Sequence, residues 1–287
     1  MEAAVSLGAR TSPFRVEDIL AVHQLLMKAT STPEFAGELR RAQNWIGGND
    51  YNPGRADFVP PSPEYLSALM EDLCKFLNRA DLPTTVQAAI AHAQFETIHP
   101  FADGNGRVGR ALIHVVLRRR GLAPRYVPPV SLVLAADAKG YIQGLTDYRE
   151  GRVDEWCGRF AVALQRAAEV ATELALRLSE LQQAWRARAG HPRSHSSAEL
   201  LIRQLPAFPI VTAATASKTL GRSEEAARQA IAQLADAGVL RQTTVGKKNR
   251  AWEAPELFDL VNAIERELAT PAGVDKPSRP VPSSPGR

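Results

Sequence analysis

The feature that most constrains this chain is a glycine-rich turn that leads directly into an apolar run with helical spacing, residues 111 to 117. Glycines allow a tight turn in which successive backbone N–H groups point in one direction, which forms a concave site for an anion. A helix that begins there adds the positive end of its dipole. The sequence therefore predicts a phosphate-binding loop at the start of a helix. The stretch reads His99-Pro100-Phe101-Ala102-Asp103-Gly104-Asn105-Gly106-Arg107-Val108-Gly109-Arg110.

The side chains of this turn suit phosphate chemistry. Arg107 and Arg110 are three positions apart, so they share one face of the predicted helix and can reach one anion. Asp103, just before the turn, is suitably located to hold Mg²⁺ against phosphate oxygens. The ordinary pKa of the His99 side chain suits proton transfer near neutral pH. These residues predict a site that binds a nucleotide polyphosphate and deprotonates an incoming hydroxyl group.

At every defined position the stretch resembles the signature of the Fic (filamentation induced by cAMP) family, His-x-Phe-x-(Asp/Glu)-Gly-Asn-Gly-Arg-x-x-Arg. Further similarity lies upstream, in residues 93–98 and in the segment from Arg40 to Pro60. The resemblance implies a mainly α-helical bundle with a small β-hairpin flap. It also implies transfer of AMP from ATP to a Ser, Thr or Tyr hydroxyl of a protein, with release of pyrophosphate.

The resemblance assigns roles to the residues of the signature. His99 is the implied general base, and Asp103 the implied ligand of Mg²⁺ between the α- and β-phosphates. Arg110 is expected at the γ-phosphate, and the side chain of Asn105 is expected to help stabilise charge on the phosphate oxygens. The implied phosphate-binding set is Gly104, Asn105, Gly106, Arg107 and Arg110.

A segment upstream of the signature predicts a flap. Residues 44–54 are dense in turn-forming residues between short apolar pieces, which indicates a β-hairpin or extended flap ending near residue 58, or else a plain surface loop. In the family, a hairpin at this place lies beside the active site and registers the target chain by main-chain pairing. The resemblance therefore implies target docking at Ile46, Gly47 and Gly48.

An aromatic pair near the nucleotide base is common in the family, and only half of it is present here. Tyr141 is followed by Ile142, so the resemblance implies one aromatic contact on the adenine side. A tyrosine that simply packs in the core is the alternative interpretation of Tyr141.

Many Fic proteins are restrained by a helix with the pattern (Ser/Thr)-x-x-x-Glu-(Gly/Asn), whose glutamate pairs with the second arginine of the signature. One formal match runs from Thr146 to Gly151. It lies at the end of a predicted core helix, where the glycine serves as a C-cap. We therefore expect that Arg110 does not pair with a glutamate of this chain, and a bond between Glu150 and Arg110 would contradict this. We expect instead either that a separate small protein inhibits the enzyme or that the chain lacks an N-terminal segment.

Other functions remain open at this stage. Relatives with the same fold transfer UMP, phosphate or phosphocholine, although the complete Gly-Asn-Gly-Arg with its second arginine favours nucleotidyl transfer, because phosphate-transferring relatives alter those residues. A DNA-binding regulator that senses a nucleotide is the alternative outside enzymes.

Composition limits the remaining choices. The 287 residues suit one large or two modest domains, 45% of them are hydrophobic, and the net charge of +4 does not by itself indicate nucleic-acid binding. Cys74 and Cys157 are far apart and predict reduced thiols rather than a disulfide. With no apolar signal-peptide core and no run of membrane-spanning length, we expect a soluble cytoplasmic protein. Residues 1–13 lack periodicity and are expected to form a loose lead-in.

The pattern of helices and breaks predicts the domain organisation. A Fic catalytic domain is expected over residues 1–190, with a core of about 15–150 and a helical extension to 190. Residues 191–196 break the helical pattern and predict a linker. Three short helices, a strand, a basic turn and a returning strand make residues 191–269 resemble a winged helix-turn-helix, an appendage that many Fic proteins carry. Residues 270–287, rich in Pro, Ser and Gly, predict a disordered tail.

Residues 212–250 raise the question of DNA contact, which the sequence leaves open. Residues 191–270 contain 10 Lys+Arg against 9 Asp+Glu, far from the basic excess of an efficient DNA binder, and Glu224 and Glu225 would face phosphate. A protein-contact module or a homodimer is the alternative role. The candidate DNA-contacting residues are Arg222, Arg228, Gln229, Lys247, Lys248 and Arg250.

Overall fold

A computed structural model describes residues 1–10, 13–28, 30–49, 51–245 and 249–269. The chain divides into two compact units, Met1–Glu169 and Val170–Arg287. The predicted domain boundary after residue 190 stays a prediction. The predicted disordered tail and the wing residues Lys247 and Lys248 lie outside the described residues.

The first unit is mainly helical, as predicted. None of the described helices is long and apolar enough to cross a membrane. Short 3₁₀ turns at Pro33–Phe35, Pro53–Arg55 and Pro63–Tyr65 connect them. The helices are α1 (Glu2–Arg10), α2 (Val16–Met27), α3 (Leu66–Leu77), α4 (Thr84–Ile98), α5 (Asn105–Arg119), α6 (Val130–Ala136), α7 (Ala138–Arg149) and the beginning of α8 (Val153–Arg188).

Helices α4 and α5 form the centre of the first unit. The apolar run of residues 111–117 on α5 is fully buried, and α4 carries small buried residues that allow the two helices to approach closely. Trp156 of α8 is buried against α4 and donates a hydrogen bond from Nε1 to the Ala89 carbonyl at 2.8 Å. Because both helices are anchored in the core, the loop between them, residues 99–104, is held at both ends.

The N-terminal residues differ from the prediction of a loose lead-in, which was wrong. Residues 2–10 form α1, which packs against α2 and α5 and buries Ala4 and Val5. A Cβ on Gly8 would lie 2.9 Å from Val115, so glycine is what lets α1 approach α5 closely. The segment was missed because so short a helix with so few large apolar residues shows no clear period.

The predicted β-hairpin flap is reduced to one antiparallel bridge, between Ile46 and Phe58. The intervening residues contain two glycines with positive φ, a 3₁₀ turn and an Asn49 side chain that accepts hydrogen bonds from the backbone of Tyr51 and Asn52. These turn-forming residues bend the chain tightly, and in the described part of the flap no further strand pairing accompanies the bridge.

The second unit contains the rest of α8 and a small three-stranded antiparallel sheet in the order β1-β3-β2. Its core includes Trp185, Leu201 and Leu234. The three predicted helices and both predicted strands are confirmed, whereas the short first strand and the last helix were not predicted. The elements are α9 (Ser197–Gln204), β1 (Ile210–Val211), α10 (Ala213–Leu220), α11 (Glu224–Asp236), β2 (Arg241–Val245), β3 (Asn249–Glu253) and α12 (Pro255–Ala269).

Both cysteines are free thiols, as predicted. Cys74 is buried on α3, and burial raises the pKa of its thiol to about 12. Cys157 is half-buried on α8, where burial also raises its pKa. Neither thiol is therefore activated as a nucleophile.

Candidate functional site

His99 ends helix α4 in a left-handed conformation, with φ +47°, and its N–H donates to the Phe95 carbonyl at 2.9 Å. Its side chain is only 18% exposed. Burial lowers the pKa of His99 to about 4, with Arg40 and Arg149 acting in the same direction and the Glu96 carbonyl opposing them. His99 is therefore neutral at neutral pH, which is the form that can accept a proton.

The loop after His99 is closed by the side chain of Asn105. Its Oδ1 accepts from the Phe101 N–H at 2.8 Å, and its Nδ2 donates to the Phe101 carbonyl at 2.7 Å. Phe101 itself is fully buried. The Asn105 amide thus holds the loop, in contrast to the expectation that it faces phosphate oxygens. Its backbone N–H belongs to the first turn of α5, whose N–H groups have no partners within the helix.

Gly104 precedes α5 at a position that only glycine can occupy. Its φ is +86°, and a Cβ there would lie 2.7 Å from Met27 Sδ and 3.0 Å from His23 Nε2. A side chain would therefore combine backbone strain with a clash against buried atoms. The turn predicted from the sequence is accordingly a tight one, and α2 packs directly beneath it.

His23 of α2 supports this loop from below. Its ring stacks on Phe101 with centroids 3.7 Å apart and planes 12° apart. Its Nδ1 accepts from the Gly37 N–H at 3.0 Å, so Nε2 carries the hydrogen and donates to the Asp103 carbonyl at 3.0 Å. Burial lowers the pKa of His23, which keeps it neutral.

Asp103 lies at the rim of the loop, and its carboxylate is shared between several donors. Oδ2 accepts from Thr32 Oγ1 at 2.7 Å and from Arg107 Nη2 at 3.0 Å, while Oδ1 accepts from the Gly104 N–H at 2.6 Å. The Thr32 hydroxyl, the Gly104 N–H and Arg107 lower the pKa of Asp103, so it is ionised at neutral pH.

Magnesium can be accommodated by this arrangement only together with a substrate. Within the described residues there is no cluster of three or more His, Cys, Asp or Glu side chains that could hold a metal by itself. Asp103 supplies one ionised, 43% exposed carboxylate. Mg²⁺ is commonly held by one or two carboxylates together with substrate phosphates and water. The donor set therefore fits a Mg²⁺ ion that arrives bound to a polyphosphate.

Arg110 lies one helical turn from the loop, and its guanidinium borders Gly106. A Cβ on Gly106 would be 3.1 Å from Arg110 Nη1. In the described part of the chain Arg110 forms no ion pair, and Glu150 pairs with Arg152 at 2.6 Å. Glu150 is thus engaged by Arg152, and the lack of an inhibitory glutamate at Arg110 stays a prediction. The guanidinium is available to an anion.

Arg40 fixes the loop from the other side and was not predicted as a site residue. It is 6% exposed, and its guanidinium donates to three carbonyl oxygens: His99 at 2.9 Å, Ala42 at 3.1 Å and Pro61 at 2.5 Å. Its own N–H donates to the Pro100 carbonyl at 2.9 Å. The one sequence signal was its position at the start of the upstream segment that resembles the family.

The flap residues predicted to dock a target are exposed or half-exposed. Ile46 donates to the Phe58 carbonyl at 2.9 Å, and Gly47 and Gly48 follow with φ values of +77° and +75°. The flap is attached to the first unit through Phe58, whose ring lies 3.6 Å from the Arg149 guanidinium of α7. Arg149 was not predicted to have this role.

Tyr141 of α7 is half-buried, and its hydroxyl lies 3.0 Å from His92 Nε2. Its ring also borders an open groove of about 590 Å³ that is lined by residues of α6, α7 and α8, including Leu134 and Ala163. That volume is in the range of small-molecule sites. No nucleotide contact is tested by these observations, so the adenine-side role of Tyr141 stays a prediction.

Glu96, one turn before His99 on α4, is a buried carboxyl group that sequence reasoning did not select. It is 7% exposed, and Oε2 lies 4.0 Å from His99 Nδ1. Burial raises the pKa of Glu96 to about 7, although Arg110 and Arg149 act in the opposite direction. A buried carboxyl this close to a candidate base is a functional candidate by itself.

Known proteins with similar sequences match the part of the chain that contains this loop. Residues 13–117 match the model of the Fic/DOC family. A protein adenylyltransferase Fic from Drosophila erecta is 31% identical over 151 residues, which cover 48% of this chain and 28% of that protein. The protein adenylyltransferase fic-1 of Caenorhabditis elegans is 29% identical over 155 residues, covering 50% of this chain and 28% of the relative. The chain thus spans less than a third of the length of these curated relatives.

A solved structure supports the fold. The crystal structure of a Fic family protein from Desulfovibrio desulfuricans G20 has a TM-score of 0.51 and 21% sequence identity, and the match covers 88% of this chain and 72% of that chain. At this identity the likeness concerns the fold alone.

Proposed function

We propose, from the premise that residues 13–117 form a Fic/DOC domain, that this chain transfers AMP from ATP to a hydroxyl side chain of a protein. The observation that carries the proposal is the combination of a neutral His99, a glycine turn at a helix start and, on the helix that follows, an Arg110 for which the described residues show no ion pair. The curated relatives that match this region are named protein adenylyltransferases, which supports the same reaction.

In the proposed reaction His99 takes the proton of the target hydroxyl as its oxygen attacks the α-phosphorus and pyrophosphate leaves. The N–H groups of the first turn of α5 stabilise the charge that spreads over the phosphate oxygens. Arg107 neutralises the departing pyrophosphate, and Arg110 binds the γ-phosphate. Asp103 would hold Mg²⁺, which supplies positive charge to the phosphates when it is bound.

Arg107 must release Asp103 for this arrangement, and their geometry allows it. The pair is one helical turn apart, and the two side chains are 33% and 43% exposed. A partly exposed ion pair of this kind contributes only about 0–1 kcal/mol, so a polyphosphate and its metal can compete with it.

Substrate positioning is proposed on both sides of the loop. The exposed main chain at Ile46, Gly47 and Gly48 would register an extended segment of the target by backbone pairing. Tyr141 would contact the adenine side of the nucleotide through its ring, because its hydroxyl is already engaged by His92.

The first experiment is incubation of the purified chain with Mg²⁺ and ATP labelled at the α-phosphate, beside a His99→Ala variant. We expect label on protein with the wild type and none with the variant. His114→Asn is the matched control, because His114 is a buried histidine on α5 whose pKa is likewise lowered by burial to about 4. Absence of transfer by a folded wild type, or transfer that persists in His99→Ala, would contradict the proposal.

The second unit is proposed to be a winged helix-turn-helix over residues 191–269. The order α9, β1, α10, α11, β2, β3 and the antiparallel pairing of β3 with both other strands support this. DNA contact through residues 212–250 is the less favoured role. On α11, Arg228 pairs with Glu224 at 2.7 Å and Gln229 donates to Glu225 at 3.2 Å, so both polar groups are engaged within the helix.

A salt-titrated binding measurement with duplex DNA tests that role, because phosphate contacts weaken steeply as salt rises. We also propose that this unit mediates a protein contact or a homodimer. A separate inhibitor protein directed at Arg110 and a cytoplasmic location are further parts of the proposal. Analytical ultracentrifugation of the purified chain tests the homodimer directly.

A further inference from the structure

Glu96 is a buried carboxyl group that takes no part in the proposed reaction, although charged side chains surround it. Within the described residues its Oε1 has no hydrogen-bond partner, although the atom is fully buried. Gly109 of α5 lies directly against it, since a Cβ there would be 2.1 Å from Oε1. A buried oxygen without a partner costs about 1–3 kcal/mol, and apolar residues at such positions avoid that cost.

The other carboxylate oxygen is directed at the candidate base. Oε2 lies 4.0 Å from His99 Nδ1, and the two side chains are 9% and 18% exposed. His99 Nδ1 is the buried nitrogen of the ring. In the proposed reaction, this leaves Nε2 as the nitrogen that receives the proton of the target hydroxyl.

We propose that Glu96 is a positioning residue whose ionised carboxylate stabilises the protonated form of His99 during AMP transfer. This inference rests on the proposed function. In the step concerned, the O–H bond of the target breaks, an Nε2–H bond forms and the imidazole becomes positively charged. The oxygen–phosphorus bond to the target forms as the bond to pyrophosphate breaks, and Glu96 keeps its negative charge throughout.

The physical reason is that burial penalises each charge most when it is alone, and an opposite charge beside it offsets part of that penalty. A lone imidazolium at this site is unfavourable, which is why burial lowers the pKa of His99 to about 4, and a lone carboxylate is unfavourable, which is why burial raises the pKa of Glu96 to about 7. Two opposite charges about 4 Å apart attract by about 4 kcal/mol at an effective dielectric constant of about 20. Proton transfer to His99 beside an ionised Glu96 converts a lone buried carboxylate into an ion pair in which each charge compensates the other.

The neighbouring charges are compatible with this arrangement. Arg110 and Arg149 face Glu96 and favour its ionised form, and the Tyr141 hydroxyl is the other titratable group that interacts with it. Arg40 and Arg149 face His99 and disfavour the imidazolium. Glu96 is therefore the one carboxylate, among the residues that the structure describes near His99, that can offset these two arginines.

The pairing can be measured without any activity, by following the ¹⁵N signals of the His99 ring during a pH titration, with His99→Ala as the assignment control. The proposed pairing couples the two groups, so the ring should report the titration of Glu96 as a step near its pKa of about 7. Glu96→Gln should remove that step, and Glu96→Asp should retain a shifted one. Glu199→Gln, which alters a buried carboxylate of the second unit, should leave it unchanged.

Catalysis supplies the second readout. In Glu96→Gln we expect kcat to fall by about tenfold or more with an unchanged KM for ATP. The acid limb of kcat that Glu96 produces near its pKa should also disappear. Glu96→Asp should recover part of kcat and of the limb. Glu96→Gln should not lower the melting temperature, since it removes a buried charge.

The outcomes separate this inference from the proposed function. A His99 step that persists in Glu96→Gln, or that is absent in the wild type, overturns the pairing. A wild-type pH profile and kcat in Glu96→Gln overturn the catalytic role. If the wild type transfers no label, the proposed function fails, and with it the catalytic role, whereas the step in the ring titration still decides whether Glu96 and His99 are paired.

Discussion

The signature loop and the flap lie in the same unit but are held in opposite ways. The loop, residues 99–104, is fixed by Asn105 from within and by buried side chains of α2 and of the segment after it, notably His23 and Arg40. The flap between Ile46 and Phe58 is closed by an antiparallel bridge and attached through the Phe58 ring on Arg149, and its Tyr51 is 92% exposed. The difference matches their proposed tasks. Phosphate chemistry requires atoms fixed to within a fraction of an ångström, whereas a target chain can itself complete a loosely held edge.

Acid should act through the buried histidines of the loop and of the two helices that flank it, and not through the flap, and we expect this to be the largest effect. His92, His99 and His114 have pKa values lowered to about 4 by burial, from 6.5, so between these values the folded protein binds fewer protons than the unfolded one. Stability is then fully present above 6.5 and is lost as pH falls toward 4. Each histidine contributes on the order of 1–3 kcal/mol.

Glu96 opposes this trend, because its raised pKa makes folding favour proton binding between 4.5 and about 7. Three histidines outweigh one carboxyl, so the net loss on acidification should be several kcal/mol, on the order of 2–6. Urea unfolding at a series of pH values measures it. Glu96→Gln should make the pH dependence steeper. A flat profile across this range would show that the histidines are not buried as described.

Arg40 provides the next largest effect. Arg40→Met removes three hydrogen bonds to backbone carbonyls, one of them on His99 itself. Loss of donors to buried carbonyls should cost about 2–4 kcal/mol of unfolding free energy and most of the transfer activity. Arg41→Met is the matched control, because that side chain is 90% exposed and should change stability by less than about 0.5 kcal/mol. Equal melting temperatures for the two variants would show that Arg40 does not stabilise the loop.

Gly104 in the loop and Gly47 in the flap have similar φ values, so substituting each by alanine compares the two regions directly. Gly104→Ala clashes with Met27 and His23, which are buried, so we expect transfer activity to fall by about a hundredfold. At Gly47 a Cβ would meet the exposed carboxylate of Asp57, which can move away. Gly47→Ala should therefore cost only about 1 kcal/mol of backbone strain and little activity. Parallel melting curves and label-transfer rates measure both, and a larger loss in Gly47→Ala would reverse the comparison.

The smallest effect concerns the attachment of the flap. Phe58→Leu removes the ring on which the Arg149 guanidinium lies, a contact of about 0.5–1 kcal/mol. If the flap docks the target, the KM for a protein target should rise roughly two- to fivefold while the KM for ATP stays constant. Val59→Ala, a neighbouring exposed residue, is the control. A rise in the KM for ATP instead would connect Phe58 with the nucleotide.

The sequence predicted those features whose residues lie close together along the chain, and it missed those that depend on residues far apart in the chain. The turn, the helix start and the candidate base lie within twelve residues, and their local chemistry predicted a phosphate loop. The structure confirms the tight glycine turn and the helix start, and phosphate binding stays a prediction. His23, Arg40 and Glu96 were missed as functional residues because their roles depend on which buried atoms they meet after folding. The flap was assigned too much β-structure, because short apolar pieces separated by turn formers fit a hairpin and a braced loop equally well.

The supports of the loop come from positions far upstream in the chain. His23 meets Asp103 across 80 residues, Thr32 meets it across 71, and Arg40 meets His99 across 59. Contacts of such separation form slowly, because the loop-closure entropy must be overcome before they stabilise anything. Helices α4 and α5 can therefore pair in a refolding chain before the turn between them has its native shape. Recovery of transfer activity should then lag behind recovery of helical circular dichroism, so that enzymatic competence reports the last stage of folding.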